Sequence, residues 1–158
     1  MLSRFPFGDA IASVVRANAL NAQQRQQELR CDAPEGLPLV VGDRSRLEQV
    51  MMNIIGNAVK YTPEGGHIRV TAGAEPDTVW MEVSDDGIGI PEKDRERIFD
   101  RFYRVDKARS RESGGTGLGL SIAKEIVDRH QGVIRLVDRE GPGLTIRLEL
   151  LVEGPHHV

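Results

Sequence analysis

The sequence predicts a two-layer α+β sandwich in which about three helices pack on one mixed, mostly antiparallel sheet of about five strands. The first observation is a pair of alternating stretches. Ile68, Val70 and Ala72 interleave with Arg69 and Thr71, Val79, Met81 and Val83 interleave with Trp80, Glu82 and Ser84, and Glu75-Pro76-Asp77 joins the two as a hairpin. The second is that separate segments repeat apolar residues at helical spacing, above all Leu47, Val50, Met51, Ile54, Ile55 and Ala58. The third is length, since 158 residues hold one domain of ordinary size with a sizeable core. Helices gathered on one face of such a sheet bury the apolar side of both layers.

Each element follows in order. Residues 9–29 place Ile11, Val14, Val15, Asn18, Ala19 and Ala22 at roughly helical spacing behind Asp9 as a cap. Leu29 to Cys31 and Leu37 to Val41 flank the turn signal Pro34-Glu35-Gly36 and suit short strands. Asp43 caps the second helix, which Pro63 and Gly65-Gly66 end. After the hairpin, Pro91 opens a charged helix to about Asp100, and residues 103–117 form a long stretch rich in Arg, Ser and Gly. Leu118, Ile122, Ala123, Ile126 and Val127 mark a further helix ending near His130 and Gly132, where a histidine suits the negative end of the helix dipole. Val133 to Val137 and the alternating Leu144, Ile146, Leu148 and Leu150 complete the sheet.

Composition narrows the classes of function. Apolar residues at 39% and charged residues at 28% place the chain among globular proteins. A formal net charge of -3 argues against a nucleic-acid partner, which needs a basic surplus on one face. No uninterrupted apolar run reaches the ~20 residues needed to span a bilayer, so no direct membrane contact is expected of this domain. With Cys31 as the only cysteine there is no intrachain disulfide, and a reducing compartment is the economical reading.

Three segments carry candidate chemistry. At about 100° per residue, Asn53, Asn57, Lys60 and Tyr61 fall in a sector bordering the apolar stripe of the second helix. Amide oxygens and an ammonium there suit a metal-triphosphate, although the same residues also suit a solvated polar face. Asp85-Asp86-Gly87-Ile88-Gly89-Ile90-Pro91 follows an alternating strand directly. A carboxylate followed by glycines lets backbone approach a planar ligand, such as a base with an exocyclic amine; an acidic turn capping the next helix reads equally well. Gly114-Gly115-Thr116-Gly117-Leu118-Gly119-Leu120 opens a helix, where unpaired N–H groups favour phosphate. It has neither the Walker spacing nor a dinucleotide fingerprint, and a flexible structural turn is the plain alternative.

In this order, and with Ile98-Phe99-Asp100-Arg101-Phe102-Tyr103-Arg104 between the second and third, the segments resemble the catalytic domain of the histidine kinases. That domain is a Bergerat-fold ATPase module, related to those of gyrase, heat-shock chaperones and mismatch-repair proteins. Asp43 to Pro63 resembles the family's N box, Asp85 to Gly89 its first glycine box, Phe99 to Phe102 its F box, and Gly115 to Gly119 its second glycine box. The resemblance implies ATP and Mg²⁺ as cofactors. It implies that Asp85 accepts from the adenine amine, that Gly87, Ile88 and Gly89 shape the base pocket, and that Asn57 ligates Mg²⁺. Asn53, Lys60 and Tyr61 would line the phosphate and ribose side, with Gly115, Thr116, Gly117, Leu118 and Gly119 on the phosphates from a lid at about 103–117. Arg104 would approach the terminal phosphate, so Asn57, Lys60 and Arg104 are the expected catalytic residues. The catalytic domain would occupy 1–152, with 153–158 a flexible tail.

Two departures matter. The first glycine box commonly reads Asp-Asn-Gly, and Asp86 stands in the middle here, which is expected to change little. The larger one is that none of His67, His130, His156 and His157 sits in the family's phosphoacceptor pattern. Hydrolysing relatives carry a glutamate one turn before the metal-binding Asn, where this chain has Asn53. An amide cannot take a proton at neutral pH, so the γ-phosphoryl is kept for an external nucleophile.

The expected function is therefore transfer of the γ-phosphoryl group to a histidine on a separate dimerisation and phosphoacceptor domain, in cis or in trans, with a response regulator reached indirectly. The isolated domain is expected to be a monomer, and its parent an inner-membrane kinase holding it on the cytoplasmic side. The alternatives are a nucleotide-binding regulatory module without transferase activity and a protein serine kinase of the anti-sigma type.

Overall fold

A computed structural model describes residues 2–87, 99, 120–137 and 143–152. Strand β1 (Ser3–Pro6) runs straight into helix α1 (Phe7–Gln24), followed by β2 (Glu28–Asp32), β3 (Leu39–Gly42) and helix α2 (Arg44–Tyr61). The hairpin β4 (His67–Ala74) and β5 (Thr78–Asp85) comes next, then helix α3 (Leu120–Arg129), β6 (Val133–Leu136) and β7 (Leu144–Leu151). Five strands form the main sheet in the order β2-β4-β5-β7-β6, and β1 pairs with β3 in a separate two-stranded sheet. All pairs are antiparallel except β2 with β4. Three helices are seen among the described residues, so the expected mixed sandwich is what the chain forms.

Alternation along the strands decides the layers. Ile68, Val70, Val79, Met81, Val83, Ile146 and Leu148 are buried toward the helices. They meet Ile11 and Val14 from α1, Leu47, Met51, Ile54 and Ile55 from α2, and Leu120, Ala123 and Val127 from α3 in one apolar core. Burial of each large side chain contributes about 1.5–3 kcal/mol. The other face of the sheet is polar. Arg147 bonds Glu82 at 2.7 Å and Glu149 at 3.1 Å while its guanidinium stacks 4.7 Å from the Trp80 ring centre. Among the described residues no helix is long and apolar enough to cross a membrane.

The structure corrects some local expectations. Helix α1 begins at Phe7, with Pro6 before it and Asp9 inside its first turn rather than at its cap. Fully buried Phe5 and Phe7 fix that entry, so the chain passes from strand to helix without a polar capping residue. The helix stops at Gln24 because Gln26 adopts the left-handed region at φ 54° and returns the chain as β2. The short strands expected on either side of Pro34-Glu35-Gly36 do form, each with its partner elsewhere. β2 lies parallel to β4 in the register Leu29↔Ile68, and β3 takes β1 as its partner. The segment from β3 through α2 supplies the crossover a parallel pair requires.

Candidate functional site

Helix α2 is held at both ends. Asp43 Oδ1 accepts from Arg46 N at 3.2 Å, the expected cap. Asp43 N donates to His130 Nε2 at 3.1 Å, and His130 Nδ1 donates to Ile126 O at 2.8 Å. The imidazole at the end of α3 thus ties that helix to the start of α2, with its proton on Nδ1. Gly42 leaves room for the ring, since a Cβ there would lie 2.8 Å from His130 Cδ2. Along α2, Asn53, Asn57, Lys60 and Tyr61 are half-buried beside the buried stripe of Val50, Ile54 and Ala58.

At the end of β5 the Asp85 side chain is buried, and its Oδ1 accepts the Gly87 N–H at 2.9 Å. A Cβ on Gly87 would stand 2.7 Å from Tyr61 O, 3.0 Å from Asp85 Oδ1 and 3.2 Å from Thr62 Cα. The glycine is what lets the turn after β5 close against the end of α2. The structure thus brings Asp85 and Gly87 against Tyr61, on the helix that carries Asn53, Asn57 and Lys60. Gly87→Ala is expected to lower stability by about 1–3 kcal/mol, because the nearest obstacles are backbone atoms that cannot rotate away. Chemical denaturation checks this, and an unchanged midpoint would show that the close approach is not needed.

Ile88, Gly89, Arg104, Gly115, Thr116, Gly117, Leu118 and Gly119 lie outside the described residues. So do His156 and His157, the stretch 103–117, the tail 153–158 and, apart from Phe99, the helix expected from Pro91 to about Asp100. Phe99 packs at the edge of the core and, with exposed Ile122, lines a cavity of about 410 Å³ along α3.

The sequence did not reveal the partner of Asp86. Its carboxylate receives His67 N at 2.7 Å and the His67 imidazole, through Nδ1, at 2.8 Å. Glu28 Oε2 stands 3.7 Å from the far ring nitrogen. The hydrogen bond to Asp86, then its charge, raises His67 above its ordinary 6.5, while the His67 backbone N–H, above all, holds Asp86 below 3.8. The raised histidine stabilises fully below 6.5 and stops doing so as pH rises through its folded value. The depressed aspartate stabilises above 3.8 and stops as pH falls through its own folded value. His67→Asn is therefore expected to lower the melting temperature more at about pH 5.5 than at about pH 8.5, by a small amount because the pair is exposed. Equal losses at both pH values would contradict this.

Among the described residues, no group of three or more His, Cys, Asp or Glu side chains is placed to hold a metal ion. The close approach at Gly87 and the buried Asp85 carboxyl fit a flat ligand with an amine edge.

In sequence and fold the chain is similar to proteins of known family. Residues 42–154 match the family described as histidine kinase-, DNA gyrase B-, and HSP90-like ATPase. The sensor histidine kinase WalK of Bacillus subtilis is 54% identical over 110 residues, covering 68% of this chain and 18% of that protein. The catalytic domain of the histidine kinase ThkA superposes with a TM-score of 0.85 at 29% identity, covering 96% of this chain and 98% of that one. ThkA has also been solved in complex with the response regulator protein TrrA, with a TM-score of 0.80 at 28% identity over 96% of this chain and 42% of that one. Full-length ShkA in complex with AMPPNP gives 0.81 at 28% identity over 97% of this chain and 32% of that one. The chain thus spans under a fifth of WalK's length. With its nucleotide-family match and its mixed sheet backed by three helices, the chain belongs to the histidine kinase-, DNA gyrase B- and HSP90-like ATPases and has the fold of a histidine-kinase catalytic domain.

Proposed function

We propose that this chain binds Mg-ATP and donates the γ-phosphoryl group to a histidine on a separate dimerisation and phosphoacceptor domain, and through it serves a response regulator. The observation that carries this reading is the closure of Gly87 against Tyr61 O, which sets the buried Asp85 carboxyl beside the helix bearing Asn57. Asp85 accepts from the adenine amine, and Gly87 lets the base lie against backbone. Asn57 offers its side-chain oxygen to Mg²⁺, and Lys60 brings positive charge to the phosphates. ATP supplies the phosphoryl group when bound, and Mg²⁺ neutralises charge on its phosphates.

Asn53 provides no base for water, which favours transfer over hydrolysis. Of the two described histidines, His130 has both ring nitrogens engaged and His67 is bonded to Asp86 with Glu28 at its other nitrogen; with none of the four, His156 and His157 included, in the family's phosphoacceptor pattern, the acceptor is expected from elsewhere. Phe99 and Ile122 beside α3 offer an apolar edge for an acceptor helix. The nucleotide analogue on ShkA and the response regulator on ThkA support the same reading. The domain occupies 1–152, is monomeric alone, and belongs to an inner-membrane kinase that holds it on the cytoplasmic side.

Incubation with γ-labelled Mg-ATP and a supplied acceptor-helix domain is the test. Acid-labile label on the acceptor histidine is expected. Label on serine, or none despite nucleotide binding, would replace phosphohistidine transfer by one of the other two readings.

A further inference from the structure

Helix α2 ends without a glycine: Thr62 at its C-cap is extended, with φ -92° and ψ 128°. Its last carbonyls must therefore find donors elsewhere. Ala58 O accepts from Thr62 N at 3.1 Å, but the next two are served from the turn between α1 and β2. Gln27 Nε2 donates to Val59 O at 2.7 Å and to Thr62 O at 2.6 Å. Arg25 Nη2 donates to Lys60 O at 3.1 Å and Thr62 O at 3.4 Å, a cation placed at the negative end of the helix dipole. Two backbone bonds complete the seam, Gly65 N to Gln26 O at 3.0 Å and Glu28 N to Gly66 O at 2.9 Å.

The segment so gripped is the one on which the base-side turn rests. Tyr61 O and Thr62 Cα are the backbone atoms a Gly87 side chain would strike, and a Cβ on Gly66 would run into Thr62 Cγ2 and lie 2.9 Å from Asp86 Oδ1. Residues 61–66 are thus held between the α1–β2 turn on one side and Asp85 to Gly87 on the other. Among the described residues, buried Gln27 meets this segment through the Val59 and Thr62 carbonyls.

We propose that Gln27 and Arg25 are positioning residues for nucleotide binding: by fixing Val59 O, Lys60 O and Thr62 O they set where Tyr61 and Thr62 stand against Gly87, and so the shape of the pocket at Asp85. The inference rests on the nucleotide-binding reading above. Neither residue touches the nucleotide.

The test compares ADP affinity without Mg²⁺ in the wild-type chain, Gln27→Ala, Arg25→Ala and Arg25→Lys, with Ile134→Val on β6 as a core variant remote from the seam. Amide exchange at Gly87 in the nucleotide-free proteins is read alongside. Gln27→Ala and Arg25→Ala should weaken ADP binding roughly 2- to 30-fold and speed Gly87 exchange. Arg25→Lys, which keeps a donor, should recover most of the loss, and Ile134→Val should leave affinity unchanged. Arg25 is exposed at its contact with Lys60 O, so its variants decide the matter if Gln27→Ala fails to fold. Wild-type binding with unchanged affinity in the Arg25 and Gln27 variants, or an equal loss in Ile134→Val, would overturn the positioning role alone. A folded wild-type chain that binds no ADP would overturn the nucleotide site and this inference with it.

Discussion

Asp85→Asn is expected to weaken ADP and ATP binding by about 1–3 kcal/mol, roughly 5- to 150-fold, because a charged acceptor for the adenine amine is lost. The fold should survive the change. An asparagine oxygen can still accept the Gly87 N–H that Asp85 Oδ1 now receives at 2.9 Å, and the side chain is nearly the same size. In the proposed binding mode, the edge offered to the adenine amine then presents either a weaker acceptor or an N–H facing another N–H. Titration with ADP alone isolates this effect from the metal. Unchanged affinity would remove Asp85 from the base site.

Asn57→Ala should lower the Mg²⁺-dependent part of triphosphate binding, or the rate of phosphotransfer, on the order of 10- to 100-fold, the range seen when a metal site loses a supporting group. Asn57 is half-buried beside the stripe of α2 rather than within it, so the variant should fold and should bind ADP without Mg²⁺ nearly as the wild type does. That contrast separates a metal role from a structural one. Retained transfer with an ordinary Mg²⁺ requirement would move the metal site elsewhere.

What could be read in advance was local in sequence. Asp43 caps the same helix that carries the stripe from Leu47 to Ala58, and the hairpin declares itself by strict alternation, so both elements form where their residues require. The residues of the N box and of the first glycine box were legible as motifs for the same reason. Partnerships across the chain were not. Ser3-Arg4-Phe5-Pro6 is too short and ends in proline, so nothing in those four residues announces a strand, and only pairing with β3 makes them one. The burial of Gln27 and its donation to Val59 O depend on residues more than thirty positions away. Asp86 looked like a neutral exchange for asparagine, and its value as a partner for His67 appears only when β4 and the end of β5 lie side by side.

The most direct test of the nucleotide-binding account is calorimetric titration of the chain with ATP, ADP and GTP, each with and without Mg²⁺. ATP and ADP should bind in preference to GTP, and Mg²⁺ should strengthen binding of ATP. Well-folded protein that binds none of the three, or that binds GTP as well as ATP, would contradict it.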